Sequence, residues 1–141
     1  MNGEFAIGIH ALACLSCKGG MVSSEELAEC ICTNPARVRK VMGRLGRAGL
    51  VEAKGGSVGG YRMAGAPEAV TLLRVLEALD MTVVTPTWKS GSLDAECMKN
   101  SGMAAVLGEI CRRLDADCRA YLATVTIADI MREMKDRRER P

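Results

Sequence analysis

The chain has little of what an enzyme active site needs. Among its 141 residues there is one histidine, His10, and no pair of acidic residues, no Ser-His-Asp set and no Cys-His arrangement stands out. General acid–base and nucleophilic catalysis depend on such groups lying close together. We therefore expect a protein that is not an enzyme.

Long apolar segments and a targeting signal are also missing. The chain begins Met1-Asn2-Gly3-Glu4 without a basic leader, and Lys18 interrupts the first apolar run before it could cross a bilayer. Its seven cysteines, an odd number, fit reduced thiols better than a disulfide framework. We expect a cytoplasmic protein with no membrane partner.

Acidic residues are absent from one segment. The range 33–51 contains five basic side chains in a chain whose net charge is only +2; they are Arg37, Arg39, Lys40, Arg44 and Arg47. Such a local imbalance indicates a polyanionic partner, although a solvated basic face is the simpler alternative.

The basic segment has the pattern of one helix. Asn34 can cap it, Pro35 suits the first helical position and Gly49 can end it. At about 100° per residue, one side of this helix is apolar and the opposite side carries most of the cations; the apolar side consists of Val38, Val41, Met42 and Leu45. The pattern predicts a helix that is buried on one side and basic on the other.

The flanking segments predict a helix-turn-helix with a wing. Ser23 and Glu26 form a capping box for a helix over 25–32, so a short helix and a tight turn precede the basic helix. Two predicted strands, 50–54 and 60–63, then flank the glycine-rich tip 55–59. A phosphate-binding loop would instead require Gly-Lys-Ser or Gly-Lys-Thr opening a helix, and neither follows these glycines.

The remaining segments predict a mostly α fold in which a winged helix-turn-helix domain is followed by a long dimerisation helix. Helices over 5–15 and 69–79 complete the first domain, residues 1–80, and residues 81–97 read as a linker. Residues 98–141 then hold the long helix and a C-terminal helix that Thr126 and Asp129 cap. The long helix repeats apolar residues at steps of three and four and needs a partner surface, so we expect a two-fold homodimer. Such a dimer would hold two basic helices about 34 Å apart on double-stranded DNA with a pseudo-palindromic site.

Four motifs give the chain a resemblance to a known family. They are the run 23–28, the run 33–40, the run Leu45-Gly46-Arg47-Ala48-Gly49-Leu50-Val51 and the turn Gly59-Gly60-Tyr61. With 72–78 and 126–130, the chain resembles the Rrf2 family of bacterial winged-helix regulators over about residues 5–131. The resemblance implies dimers joined by a long helix, control of promoters and, in several members, an iron-sulfur cluster that senses iron, nitric oxide or redox state.

The resemblance also implies DNA-contacting residues. It assigns Ala36, Arg37, Arg39 and Lys40 to the major-groove end of the recognition helix, and we also expect Asn34 to contact DNA. We expect Arg37 and Lys40 to contact base edges, because both can donate to guanine O6 and N7, and we expect Arg44 and Arg47 to contact phosphates. The wing contributes Lys54, Ser57, Gly59, Gly60 and Tyr61, with Lys54 as a phosphate contact. Gly55 stands where cluster-bearing relatives often present arginine.

The cysteines depart from the pattern of cluster-bearing members. Relatives with a two-iron cluster carry three closely spaced cysteines before the long helix, whereas this chain offers Cys97 alone, with Thr85 and Gly91 at the other two positions and Asn100 at the fourth-ligand position. One thiolate cannot hold such a cluster. We therefore expect no cofactor, and the chain resembles the cluster-less branch of the family. Cys97 is the candidate thiol sensor.

The other cysteines and the histidine have simpler interpretations. Cys14 and Cys17 form a Cys-x-x-Cys pair near the end of a helix, where the dipole does not favour thiolates, so we expect packing thiols. Cys30 and Cys32 read as packing residues too. His10 has no second ligand nearby in sequence, so we expect a core role and no metal site.

Together these features predict a homodimeric, DNA-binding transcriptional repressor that responds to a redox or small-molecule signal; the sequence does not identify the effector. The alternative is a winged-helix module that binds a protein partner and does not read DNA.

Overall fold

The computed structural model describes residues 1–86 and 102–141 of the chain. These residues form two units: the first contains residues 1–81 with 122–141, and the second contains residues 82–86 with 102–121. No helix in the described ranges is long and apolar enough to cross a membrane.

Three helices form the centre of the first unit. Helix α1 is Gly3–Lys18, α2 is Ser24–Ile31 and α3 is Pro35–Arg47. Each begins at a predicted or local cap: the side chains of Asn2, Ser23 and Asn34 accept hydrogen bonds from backbone N–H groups of the first turn. Cys32 ends α2 in the left-handed conformation, with φ 60°. The α2–α3 connection is therefore short and defined, as a helix-turn-helix requires.

The wing is an antiparallel hairpin of β1, Val51–Lys54, and β2, Gly60–Met63. The tip-side end of β2 is attached to the segment between α1 and α2, because Val22 and Tyr61 exchange backbone hydrogen bonds of 2.9 and 2.8 Å. Gly60 makes this approach possible: a Cβ there would lie 2.4 Å from the Val22 carbonyl oxygen, and its φ is +148°. The predicted hairpin is therefore present, and Gly60 is needed for its pairing with Val22 whether or not a partner is bound.

The C-terminal helix belongs to the first unit. After a 3₁₀ turn, Pro67–Ala69, helix α4 spans Leu72–Ala78. Backbone bonds join Leu72 N–H to the Val125 carbonyl (2.8 Å) and Ile127 N–H to the Val70 carbonyl (2.9 Å). This pairing makes α4 begin later than the predicted residue 69, since residues 70 and 71 are extended.

The last helix, Ile127–Glu139, packs against α1, and its Ile127 is fully buried. The predicted capping box of Thr126 and Asp129 is present. The predicted segment 98–141 therefore does not form one unit, because the C-terminal helix of this segment belongs to the core of residues 1–81. The dimerisation role of residues 98–141 and the linker role of residues 81–97 remain predictions.

The second unit contains most of helix α5, Met103–Leu122, after which the C-terminal helix is α6. Asp115 on α5 accepts hydrogen bonds from the backbone N–H groups of Val83 (2.7 Å) and Val84 (3.1 Å) and pairs with Arg119 at 2.9 Å. The Val84 N–H lowers the pKa of Asp115, with further contributions from Arg119 and Val83. One carboxylate thereby fixes residues 83–84 on the long helix.

Candidate nucleic-acid interface

Helix α3 is held by its apolar side. The four predicted residues of that side are at most 1% exposed: Val38, Val41, Met42 and Leu45. Burial of such a side chain contributes about 1.5–3 kcal/mol, so this face fixes the rotation of the helix about its axis. The orientation predicted for α3 is therefore present in the fold.

An outward row lies on the opposite side of α3. This row consists of four exposed residues that follow one another at steps of four, three and four: Ala36, Lys40, Gly43 and Arg47. No atom lies within 4 Å of the place where Gly43 would carry a Cβ. The row combines two cations with two small residues, so the backbone of a partner could approach α3 closely.

Glu4, in the first turn of α1, holds two of the α3 cations. Lys40 Nζ lies 2.7 Å from Glu4 Oε1, and Arg44 Nη1 lies 3.5 Å from Glu4 Oε2. Arg44 also donates to the Leu79 carbonyl oxygen at 3.0 Å. The hydrogen bond from Lys40 is the main cause that lowers the pKa of Glu4, and the charges of Lys40 and Arg44 act in the same direction.

This contact changes the expectation for Lys40. The sequence suggested a cation free to donate to bases, whereas the structure pairs it with an acidic neighbour of the same subunit. The Lys40 side chain nevertheless remains 60% exposed, so its pairing with Glu4 is a solvent-screened contact that a stronger anion can replace.

Arg39 faces the other flank of the row. Its Nη1 lies 3.2 Å from the Ser24 hydroxyl and 3.6 Å from the Glu25 carboxylate, both in the first turn of α2. Acidic residues of the two neighbouring helices thus contact three of the five α3 cations.

Arg37 and Arg47 differ from the other three α3 cations in their contacts. Both are exposed, and within residues 1–86 and 102–141 neither has an ion pair. The Arg37 guanidinium lies over the start of α1, where a Cβ on Gly3 would be 3.2 Å from its Nη2. Asn34, also proposed from sequence to contact DNA, uses its side chain to accept the Arg37 N–H at 2.9 Å, which is a helix cap.

The predicted wing residues separate into two groups. Lys54 and Ser57 are exposed and line a cleft of about 410 Å³ between the wing and the first turn of α2. Gly59 and Gly60 are constrained by packing, since a Cβ on Gly59 would lie 2.2 Å from the Lys54 carbonyl oxygen. Tyr61 is partly buried against the core. Lys54 and Ser57 are therefore the wing residues of the predicted set that are free to meet a partner.

Two contacts were missed from the sequence. Glu4 lies 36 residues from Lys40, and the one signal for it is an acid in the first turn of a helix. Cys14 and Cys30, expected to be separate packing thiols, form a disulfide between α1 and α2, with their Cα atoms 7.2 Å apart. That expectation was wrong because the spacing within α1 does not indicate which residues α2 brings beside it. Cys17, Cys32, Cys111 and Cys118 are free thiols; Cys97 lies outside the described residues.

The domain is a winged helix-turn-helix with an outward basic second helix, the architecture of a class of DNA-binding proteins. A family model described as Rrf2, an iron-dependent transcriptional regulator, matches residues 1–133. The chain belongs to the Rrf2 family, and it is a DNA-binding transcriptional regulator rather than an enzyme.

Solved structures with the same fold include IscR of T. potens, with a TM-score of 0.73 and 17% identity over 100% of this chain and 92% of that chain. CymR, the global cysteine regulator of B. subtilis, has a TM-score of 0.68 and 18% identity over 94% and 96% of the two chains. CymR of Staphylococcus aureus has a TM-score of 0.67 and 17% identity over 92% and 96%. These likenesses concern the fold. No curated protein matches the chain in sequence.

Proposed function

We propose that this regulator is a cytoplasmic homodimer that binds a pseudo-palindromic DNA operator through α3 and the wing and represses transcription. The observation that carries the proposal is the exposed row on α3, held outward by four buried apolar side chains. A helix anchored in this way can enter the major groove without rearranging the core.

The residues divide by their freedom to reach DNA. Arg37 is the base-reading candidate because it makes no ion pair in the described chain, although its charge helps to lower the pKa of Glu4. Lys40 reads a base only after leaving Glu4. Arg47 and Lys54 suit phosphates, since both are exposed at the edges of the surface. Arg44 positions α3, because the Leu79 carbonyl and Glu4 already bind its guanidinium.

Support for the homodimer comes from helix α5. Three large apolar side chains of this helix are 48–56% exposed among the described residues: Val106, Ile110 and Leu114. They follow one face of the helix at steps of four residues. An apolar row of this kind favours packing against a second copy of the same helix across a two-fold axis.

A second candidate function has its own support. Glu4 and Glu25 neutralise much of the α3 face, which is what a module that binds a protein partner without reading DNA would tolerate. Counterion release separates the two functions, because contact with several phosphates makes DNA affinity fall steeply with salt.

The iron of the family description does not fit the segment where cluster ligands are expected. The donor set there is Cys97, with Thr85, Gly91 and Asn100 in place of further ligands, and a two-iron cluster needs four cysteine or histidine ligands. We propose a regulator without a cluster in that segment, whose signal is a small molecule or the oxidation of Cys97. If Cys97→Ser left operator affinity equally responsive to oxidant, the thiol hypothesis would be rejected.

The test is selection of duplexes from a random pool with the full chain, followed by titration of the selected duplex at several salt concentrations. Arg47→Ala should weaken all duplexes alike and reduce the log–log salt slope by about 1, whereas Arg37→Ala should cost about 1–3 kcal/mol and relax sequence preference. Arg138→Ala, a matched exposed cation on α6, should change neither. Flat affinity across sequences and salt would favour the protein-binding module.

A further inference from the structure

Three metal-ligating side chains converge between α1 and α2. His10 and Cys14 lie one turn apart on α1, and Cys30 comes from the last turn of α2. One ligand atom from each residue lies within 4.8 Å of the other two. The sequence paired Cys14 with Cys17, whereas the structure groups Cys14 with Cys30 and His10 as possible metal ligands.

We propose that His10, Cys14 and Cys30 form a binding site for one soft divalent cation, with zinc as the preferred ion, in the reduced protein. An imidazole and two thiolates are a zinc-type donor set, and a tetrahedral ion with bonds of about 2.0–2.3 Å keeps its ligand atoms roughly 3.5–3.8 Å apart. The three ligand atoms lie within 4.8 Å of one another, so once reduction has broken the Cys14–Cys30 bond, small side-chain rotations bring them to that spacing. In the Irving–Williams order such donors bind Zn²⁺ more tightly than Fe²⁺, which favours zinc over iron.

The separation of the two helices also suits a metal. The Cα atoms of Cys14 and Cys30 are 7.2 Å apart, beyond the roughly 4.4–6.8 Å that disulfides usually span. Two sulfurs that share an ion of about 2.3 Å bond length bridge a wider gap than two sulfurs bonded to each other. The α1–α2 spacing therefore accommodates the ion without a rearrangement of the helices.

The site and the disulfide exclude each other. A thiol or phosphine reductant supplies the two electrons that, with two protons, convert the disulfide to two thiols, and each thiol then loses its proton to bind the cation. Peroxide reverses the process: it takes the two electrons and is reduced to water, the sulfurs form their bond and the ion leaves. The ion can reach the site because half-buried His10 lines an open cleft of about 270 Å³ together with Ile31 and Cys32. Because the described chain supplies three ligands, a tetrahedral ion would take water as its fourth.

A cation bound at this site would stabilise the helix-turn-helix. Helices α1 and α2 both pack on α3 and on each other, so the ion would join the two supports of the recognition helix. Because binding favours the folded chain, an excess of zinc should raise Tm by about 5–10 °C.

The full chain, reduced with a phosphine and freed of metal by chelation, is titrated without oxygen with Zn²⁺ and, in parallel, with Co²⁺. We expect one ion per chain and a thiolate-to-cobalt charge-transfer band. His10→Ala and Cys30→Ser should each lower affinity at least tenfold, and Cys14→Ser/Cys30→Ser should abolish the band. Peroxide should release the ion to a chromophoric chelator in step with loss of the two thiols.

Cys32→Ser is the matched control, since this exposed free thiol lies two residues from Cys30 and outside the cluster. It should retain one ion per chain. Substitution of the buried Cys14 also changes the core. The Cys30→Ser and His10→Ala variants, with folding verified by circular dichroism, test the site without that change. The proposal is overturned if the reduced protein binds no zinc, if the double variant keeps the cobalt band, or if Cys32→Ser loses the ion equally.

Discussion

The ammonium of Lys40 donates a hydrogen bond of 2.7 Å to the carboxylate of Glu4, so the first turn of α1 holds a cation of the proposed recognition surface. Because the Lys40 side chain is 60% exposed, the pairing adds at most about 1 kcal/mol to stability. Its larger effect is on binding, because DNA has to displace Glu4 before Lys40 can contribute its full charge.

Removal of the Glu4 charge should therefore strengthen DNA binding. We expect Glu4→Gln to raise operator affinity roughly three- to tenfold, about 0.7–1.4 kcal/mol, and to steepen its salt dependence, as measured by fluorescence anisotropy. Glu29→Gln is the control, because it removes the same charge from an exposed α2 position that has no ion pair in the described ranges. Equal gains in both variants would assign the effect to net charge alone.

The contact between the wing and Val22 should not tolerate a side chain. Gly60→Ala places a Cβ 2.4 Å from the Val22 carbonyl oxygen, so we expect a loss of roughly 1–3 kcal/mol in the free energy of unfolding, measured with urea. Gly55→Ala, in open space at the tip of the same wing, should change that free energy by less than about 0.5 kcal/mol. Similar losses would contradict the role of Gly60.

The exposed row of α5 provides a test of the dimer. Ile110 is 49% exposed at the middle of the row, and Ile110→Glu would place a charge in the proposed interface, so the variant should sediment as a monomer. Arg112→Glu lies roughly 160° around the helix and breaks only an exposed pairing with Glu109; it should remain dimeric. A wild-type chain that sediments as a monomer would refute the homodimer directly.

Asp115 should control the order of residues 83–84. Its pKa lies below the ordinary value, chiefly because it accepts the Val84 N–H, so the stabilisation is complete above the unfolded-state pKa and is lost as pH falls through the lowered folded-state pKa. Hydrogen exchange should show the Val83 and Val84 amides protected at neutral pH and unprotected in Asp115→Ala. Asp117→Ala, an exposed neighbour on α5, should leave their protection intact.

Local signals predicted the helices well because their causes are local. Asn34 and Thr126 cap their helices as expected, and the apolar side of α3 is the buried one. The start of α4 was placed too early, since the backbone pairing of Val70 and Leu72 with Val125 and Ile127 joins segments about 55 residues apart. No local pattern contains that information.

The interface was only partly predictable for the same reason. Composition identified five cations on α3, and periodicity placed four of them, all except Arg39, opposite the core. Their partners come from elsewhere in the chain: Glu4 from α1 and Glu25 from α2. The pairing of Cys14 with Cys30 likewise depends on how two helices pack, which spacing along one helix cannot reveal.

The attachment of the wing to Val22 through main-chain bonds has a consequence for engineering. Gly60 and Tyr61 fix the β2 end of the hairpin, and Gly56 fixes the turn, because its φ is +96° and its carbonyl accepts the Gly59 N–H at 3.1 Å. The other tip residues, Gly55, Ser57 and Val58, are exposed. Arginine can be introduced at Gly55 to give the tip a side chain for the minor groove, or a fluorescent label can be attached at Ser57, without disturbing the scaffold that presents them.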